Sequence, residues 1–273
     1  MTDRTNLLDP AAAPEEIEAR SFALIEAEVP KPRPFEGPQW RVVRRMIHAS
    51  ADFELLSLVR FHPRAVPAGI NALAKGCLIV TDTQMALCGI PQRRMQRLSC
   101  TVRCLMDDPE VAARAAEAGA TRARVAVDAA LEREAPAIWV VGNAPTALLR
   151  LLECIEAGRA RPELIVGMPV GFVNAAESKD ILMRQTVTPF VTVAGRKGGS
   201  ALPRAWSTPW PTWPSRADES GAKPSRSFLS ECRGVQLPRK TLHSGFDSEM
   251  KPAGSPARPL IFGVWGAARP PAE

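Results

Sequence analysis

Short apolar runs alternate with helical stretches through the second half of this chain's first 200 residues. The clearest runs are AIWVVG at 137–142, LIVGM at 164–168 and PFVTVAG at 189–195. Each run is continuously apolar, which is typical of strands that are covered by helices on both faces. Strands that alternate with helices in this way connect through right-handed crossovers into a mostly parallel sheet. The alternation therefore predicts an α/β fold.

Apolar periodicity adds further elements to this prediction. A helix is predicted at 144–158, closed by Gly158, and a second at 174–185. The remaining predicted helices cover 10–29, 40–51, 67–76 and 109–134, and the remaining predicted strands cover 77–81 and 99–104.

The composition changes near residue 200. Residues 201–273 hold 11 of the 26 prolines and 4 of the 6 tryptophans, and they carry +4 of the formal net charge of +6. No helical period persists in this tail, although LIFGVW at 260–265 could form a strand. We therefore predict one α/β domain over residues 1–200 and a mostly disordered tail over residues 201–273.

Several classes of protein are excluded by the sequence. No apolar run has the roughly 18–20 residues of a membrane span, and the first residues lack a signal-peptide pattern, so we expect a cytoplasmic protein. The six cysteines form no CxxC pair and have no partnering histidine pair, so we expect free thiols in a reducing compartment and no metal site. A net charge of +6 on 273 residues gives no indication of nucleic-acid binding.

Three polar, glycine-containing turns follow predicted strands, at 141–146, 167–179 and 195–200. Ligands of parallel sheets bind beyond the carboxyl ends of the strands, where helix N-termini attract anions. The candidate binding residues on this edge are Asn143, Thr146, Ser178, Lys179 and Arg196. The alternative is that these are ordinary tight turns. No nucleotide fingerprint is present, since GRKGGS does not fit a P-loop and no GxGxxG follows a strand.

His48 lies in RRMIHAS on a predicted helix. One interpretation is a half-buried structural histidine; the other is a general acid, because histidine titrates near neutral pH. Arg44 and Arg45 precede it by four and three residues and share roughly its face. His62 in FHPRA is interpreted as a loop residue, and His243 falls in the tail.

These residues together resemble a known family. The segments RRMIHA, VVGNAPTALLRLLE, GMPVGFVNAAESKD and GRKGGS, in this order, resemble the precorrin-8X methylmutases (precorrin isomerases) of cobalamin biosynthesis. EARSFALIEAE and GATRA fit the same pattern, and the resemblance covers about residues 8 to 201.

The resemblance implies a flavodoxin-like three-layer α/β/α fold with a five-stranded parallel sheet, and a homodimer. It implies an isomerase that moves a methyl group in ring C of precorrin-8X to give hydrogenobyrinic acid, or the cobalt form, without a cofactor. The family's catalytic histidine matches His48, and its substrate-binding residues match Ser21, Arg45 and Arg122. The partners implied are the corrinoid substrate and product, with no nucleic acid and no membrane.

The sequence departs from this family after Ser200. A small-residue helix is expected there, but LPRAWSTPWPTWPS follows, and its prolines oppose a long helix. A frameshift in GC-rich DNA would give such a composition, and a lineage-specific extension is the alternative. An impaired protein that binds the tetrapyrrole without turnover is therefore the second functional hypothesis, and a generic α/β enzyme for phosphorylated ligands is the third.

Overall fold

A computed structural model describes residues 13–207 of the chain. Residues 208–273 of the predicted tail, including the predicted strand at 260–265, lie outside the described residues, as do Cys232 and His243. None of the helices between residues 13 and 207 is long and apolar enough to cross a membrane.

Helices and strands alternate along the described chain. The helices are α1 (Pro14–Glu28), α2 (Gly37–Ser50), α3 (Leu55–Leu58), α4 (Ala65–Ala74), α5 (Gln84–Gly89), α6 (Gln92–Arg97), α7 (Pro109–Glu117), α8 (Arg122–Arg133), α9 (Pro145–Glu156) and α10 (Ala175–Arg184). The strands are β1 (Val59–Phe61), β2 (Leu78–Thr81), β3 (Thr101–Cys104), β4 (Ile138–Val141), β5 (Leu164–Gly167) and β6 (Phe190–Val193). A short 3₁₀-helix follows at Pro203–Ser207.

The strands form one sheet in the order β1-β6-β5-β4-β2-β3. The five strands from β6 to β3 are mutually parallel, in the order of a flavodoxin-like sheet, which confirms the predicted fold class. Strand β1 adds an antiparallel edge that pairs Val59 with Val193. Strand β1 was not predicted, because three residues are too few to show a pattern.

Helices cover both faces of the sheet. In β4, Ile138 and Val140 point into a core shared with α2 and α4, whereas Trp139 and Val141 point into a second core shared with α8 and α9. All four side chains are 2% exposed or less. Successive side chains of a strand leave opposite faces, so a fully apolar strand requires this three-layer arrangement.

The helix predicted over 109–134 is broken in the structure. Helix α7 stops before Ala118, and Gly119 adopts a left-handed φ of +57°. Thr121 then caps α8 by accepting a hydrogen bond from the backbone N–H of Arg124. The break was not predicted, because the alanine-rich apolar pattern continues on both sides of it. The turn at Gly119 and the cap at Thr121 change that pattern very little. The unpredicted α3, α5 and α6 have only four to six residues each.

The described fold continues past residue 200. Leu202, Ala205 and Trp206 are buried in the core that contains α2 and α4. Pro203 opens the 3₁₀-helix rather than ending the structure, since proline fits the first position of a helix. The Trp206 ring lies over α4, where a Cβ added to Gly69 would be 3.6 Å from Trp206 Cζ3.

Trp206 is expected to stabilise the domain mainly through packing. Trp206→Ala should lower the free energy of unfolding by about 3–5 kcal/mol, because it removes a fully buried ring. Trp206→Phe should cost much less, because the buried Nε1 has no hydrogen-bond partner to lose. Urea unfolding measures both, with Val187→Ala, at a side chain 72% exposed, as the control. An unchanged stability of Trp206→Ala would contradict the packing of this segment.

Candidate active site

The three polar turns form one continuous rim at the carboxyl edge of the sheet. We call 142–146 the first loop, 168–174 the second loop and 194–200 the third loop; they follow β4, β5 and β6. The Gly199 N–H donates to the Met168 carbonyl at 3.0 Å, and the Gly171 N–H donates to the Arg196 carbonyl at 3.3 Å. The prediction that three turns share one edge is therefore confirmed.

Two glycines allow this close approach. A Cβ on Gly198 would lie 2.2 Å from the Met168 carbonyl oxygen, and a Cβ on Gly142 would lie 2.8 Å from the Ser200 Cα. Both contacts are with backbone, which cannot move aside as a flexible side chain would. The glycines therefore let the third loop pack directly on the first and second loops.

Asp82 follows β2 and was missed by the sequence analysis. Its carboxylate is almost fully buried and accepts hydrogen bonds from the backbone N–H groups of Gly142, Asn143 and Ala144, at 2.9, 2.7 and 2.7 Å. Burial raises the pKa of Asp82, and the three N–H donors oppose that shift by stabilising the carboxylate. The available signal was an aspartate directly after an apolar strand, at the edge where ligands bind.

Lys197 joins the third loop to the helix that carries His48. Its Nζ lies 2.7 Å from Asp52 Oδ2 and 2.5 Å from Glu54 Oε2. Asp52 follows directly after the C-cap of α2, and the Lys197 ammonium lowers the pKa of Asp52. The charge of Lys197 is therefore already neutralised within the protein.

His48 lies in the last turn of α2 and is exposed. Its ring centroid is 5.1 Å from that of Phe22, and the guanidinium groups of Arg44 and Arg45 lie 4.4 and 5.0 Å from the same Phe22 ring. Arg45 forms an ion pair with Glu18. His48 is therefore exposed and not half-buried, and its role as a general acid stays a prediction.

The other arginine beside His48 is also paired. Arg44 binds Glu26 at 3.0 Å, and Arg33 and Trp40 donate to the same carboxylate. Together these donors lower the pKa of Glu26, against the effect of its burial. Both arginines are therefore ion-paired, but Arg44 shares the single charge of Glu26 with Arg33, so this cluster keeps a net positive charge.

The remaining predicted residues differ in their access to solvent. Arg196 is exposed, with its guanidinium 5.6 Å from the Phe172 ring, and Arg122 is exposed at the first position of α8. Asn143 is exposed, whereas Thr146 accepts a hydrogen bond from the Thr121 hydroxyl at 2.8 Å. That contact places the start of α8, and so Arg122, beside the first loop.

Three predicted binding side chains make internal hydrogen bonds. The Ser21 hydroxyl donates to the Ile17 carbonyl at 2.8 Å, and the buried Ser178 hydroxyl donates to the Ala175 carbonyl at 3.1 Å. Lys179 is fully buried and its Nζ donates to the Lys197 carbonyl at 2.6 Å. Ser178 and Lys179 are therefore not on the open surface of the rim, and Lys179 supports the third loop from inside.

The second loop exposes apolar side chains that the sequence analysis did not single out. Phe172 is 84% exposed, Val173 77% and Val170 40%. Together with Arg196 over the Phe172 ring, they give this part of the rim an apolar surface next to a positive charge.

The described residues contain no metal-binding cluster. Between residues 13 and 207, no group of three His, Cys, Asp or Glu side chains could hold a metal ion. The five cysteines of this range are free, and the closest pair, Cys77 and Cys100, has its sulfur atoms 3.8 Å apart.

Comparison with known proteins gives one consistent result. A family model described as precorrin-8X methylmutase matches residues 16–206. A cobalt-precorrin-8 methylmutase of Priestia megaterium is 41% identical over 202 residues, which cover 74% of this chain and 89% of that protein. A precorrin-8X methylmutase of Pseudomonas aeruginosa is 40% identical, with coverage of 68% and 89%.

Solved structures agree with these sequence matches. The structure of a precorrin-8X methylmutase from Thermus thermophilus superimposes with a TM-score of 0.65 at 46% identity, and covers 71% of this chain and 92% of that one.

The buried Lys179 is expected to make stability depend on pH. Desolvation lowers its pKa from 10.5 to about 8, so between these values the unfolded chain holds a proton that the folded chain has lost. The free energy of unfolding of the wild type should therefore rise with pH across this window, relative to Lys179→Met. Urea unfolding at a series of pH values measures the difference, and the exposed Lys75→Met is the control. A difference that stays flat from pH 8 to 10.5 would refute the assignment.

Proposed function

The chain belongs to the precorrin-8X methylmutase family, and on that premise we propose that it catalyses the intramolecular methyl migration in ring C of precorrin-8X, giving hydrogenobyrinic acid. The family's members are isomerases of cobalamin biosynthesis, and so is this chain. Relatives named for cobalt-precorrin-8 and for precorrin-8X are equally similar to it, so both forms of the substrate belong in the test.

The observation that carries this proposal is the placement of His48. An exposed imidazole lies in the last turn of α2, and the ion pair of Lys197 with Asp52, just after this helix, connects it to the third loop. His48 would protonate the bound macrocycle, or move a proton on it, and so favour the rearranged tautomer. The proton returns to solvent or to His48 at the end, since an isomerisation neither gains nor loses one. General acid catalysis of this kind contributes roughly 10²- to 10⁴-fold to the rate.

The rim offers the substrate's carboxylates few free cations. Lys197 and Arg45 already bind carboxylates of the protein, whereas Arg196 and Arg122 are exposed and form no ion pair within residues 13–207. We assign these two arginines to substrate carboxylates, with the Asn143 side chain as a neighbouring donor. Ser21 and Thr146 would contact substrate through hydroxyls that already have a partner.

The apolar part of the rim suits the body of the macrocycle. Phe172 and Val173 expose large apolar surfaces beside Arg196, and a corrin precursor combines an apolar ring with charged side chains. We propose that the ring lies against the second loop while Arg196 binds a peripheral carboxylate. This arrangement would leave ring C free to approach His48.

We further propose that the protein is a homodimer and acts in the cytoplasm. The dimer is carried over from the family resemblance. The cytoplasmic location is supported by the five cysteines among the described residues, all of which are free thiols. Two of them have sulfur atoms only 3.8 Å apart without a disulfide, as in a reducing compartment. Residues 1–200 remain the proposed catalytic domain, with the packed segment 201–207 attached to it.

Replacement of His48 tests the proposed acid. His48→Ala should lower kcat by about 10²- to 10⁴-fold and leave product binding intact. The visible spectrum reports turnover of precorrin-8X and of its cobalt form, because conjugation changes on rearrangement. His62→Ala is the matched control, since the His62 N–H binds the Phe190 carbonyl at the opposite, amino edge of the sheet. Equal turnover by His48→Ala and wild type would reject the general acid, and binding of hydrogenobyrinic acid without wild-type turnover would favour the non-catalytic alternative.

Arg196 should act mainly on substrate affinity. Arg196→Gln is expected to raise KM by about 10- to 100-fold with little change in kcat, because a charged hydrogen bond contributes about 1.5–3 kcal/mol. The defect should diminish in high salt, where wild-type binding also weakens. Arg184→Gln, at the far end of α10, is the control. An unchanged KM for Arg196→Gln would remove this residue from the substrate site.

A further inference from the structure

Among the described residues, one turn contacts two of the three loops of the rim. Asp82 and Thr83 follow β2, and we call them the Asp82–Thr83 turn. The Asp82 carboxylate binds the backbone of the first loop, and the Thr83 hydroxyl lies 3.0 Å from the hydroxyl of Ser200, the last residue of the third loop. The sequence separations are about 60 and 117 residues, so only the folded chain brings these groups together.

The Asp82 contact uses both carboxylate oxygens. Oδ1 accepts from Gly142, and Oδ2 accepts from both Asn143 and Ala144. The side chain is 6% exposed and has no ion pair within residues 13–207, so these N–H groups are what stabilises its charge. Three consecutive backbone N–H groups in the loop just before α9 would otherwise form an anion-binding concavity. An internal carboxylate therefore occupies the place that the sequence analysis assigned to a ligand.

The Thr83 contact holds the other side of the turn. Its Oγ1 also accepts a hydrogen bond from the Ala86 N–H and so caps α5. This second contact fixes the orientation of the hydroxyl that lies against Ser200. Ser200 is buried and packs against Gly142 of the first loop. A Cβ added to Gly142 would lie 2.8 Å from the Ser200 Cα. The first loop, the third loop and the turn therefore meet in one place.

We propose that Asp82 and Thr83 are positioning residues, which fix the first and third loops so that Asn143 and Arg196 face the same substrate. The inference rests on the proposed function, since it assigns those two side chains to the corrinoid. The substrate carboxylate beside the first loop would bind side chains such as Asn143 and Arg122, and not the backbone N–H groups, because Asp82 occupies these.

The first test is Asp82→Asn, which keeps the size of the side chain but places an amide opposite three N–H donors. We expect kcat/KM to fall about 10- to 100-fold, mostly through KM, since small misplacements of binding groups are costly. The pH profile of kcat should keep its wild-type shape, because His48 is not touched. Hydrogen exchange should speed up at Gly142, Asn143 and Ala144 while the central turns of α9 stay protected.

Asp128→Asn is the matched structural control. Asp128 is a half-buried carboxylate on α8 that binds Arg150 on α9 at 2.8 Å, away from the rim. Its loss should lower stability without changing KM or exchange in the first loop. If Asp82→Asn folds with a wild-type KM and unchanged exchange in the first loop, the proposal is overturned.

A double-mutant cycle on Thr83 and Ser200 covers the case in which Asp82→Asn fails to fold. Thr83→Val and Ser200→Ala should each raise KM severalfold, and the double variant should be no worse than the poorer single variant. Thr83→Ser, which keeps the hydroxyl, should restore the wild-type KM. Strictly multiplicative effects, or no rescue by Thr83→Ser, would overturn the contact as a positioning device.

The two proposals fail in different ways. A wild type that converts neither form of the substrate would reject the proposed function. The exchange rates of residues 142–144 in Asp82→Asn require no turnover, so they decide on their own whether Asp82 holds the first loop.

Discussion

Burial of both faces of the parallel sheet is the constraint on which the rest of this molecule depends. In β4, Ile138 and Trp139 point into different cores, and both are 2% exposed or less. A strand covered on both sides has no surface on which to place a polar group without a large desolvation cost. Polar chemistry is therefore confined to the ends of the strands, and in this chain the polar loops follow the carboxyl ends of β4, β5 and β6.

Several charged side chains at and near the rim are neutralised by partners within the protein. Lys197 is paired with Asp52 and Glu54, and Arg45 with Glu18. Asp82 takes the N–H groups of the first loop, and the buried Lys179 binds a carbonyl of the third loop. These contacts fix the loops before any ligand arrives, so a ligand does not have to order them. Within residues 13–207, the exposed Arg122 and Arg196 form no ion pair.

Much of the fold was predictable because periodicity is a local property. Continuous apolar runs located four of the five parallel strands, and the fifth, β3, was proposed from the mixed segment SCTVRC. Gly158 correctly marked the end of α9 with its left-handed φ of +71°. Prediction failed where the signal was too short or was masked. Strand β1 has three residues, and the turn at Gly119 interrupts an alanine-rich stretch whose composition favours helix on both sides.

The shared edge of the three loops was predictable, whereas the catalytic role of His48 stays a prediction. The order of the βα turns placed the loops at one edge, and the sequence context of His48 singled out an imidazole that the structure exposes. The sequence did not reveal that Ser178 and Lys179 are both buried, because tertiary packing sets which face of α10 is covered. Sequence reasoning also passed over Asp82, whose partners lie about 60 residues away.

The sequence by itself determined the fold class, the family and the set of groups available for chemistry. Only the tertiary structure decided which of those groups are free to act. Lys197 and Asp52 are 145 residues apart in the chain and 2.7 Å apart in space, and no local pattern encodes that pairing. Charge on a residue is a property of its side chain, whereas the availability of that charge depends on which neighbours folding brings to it.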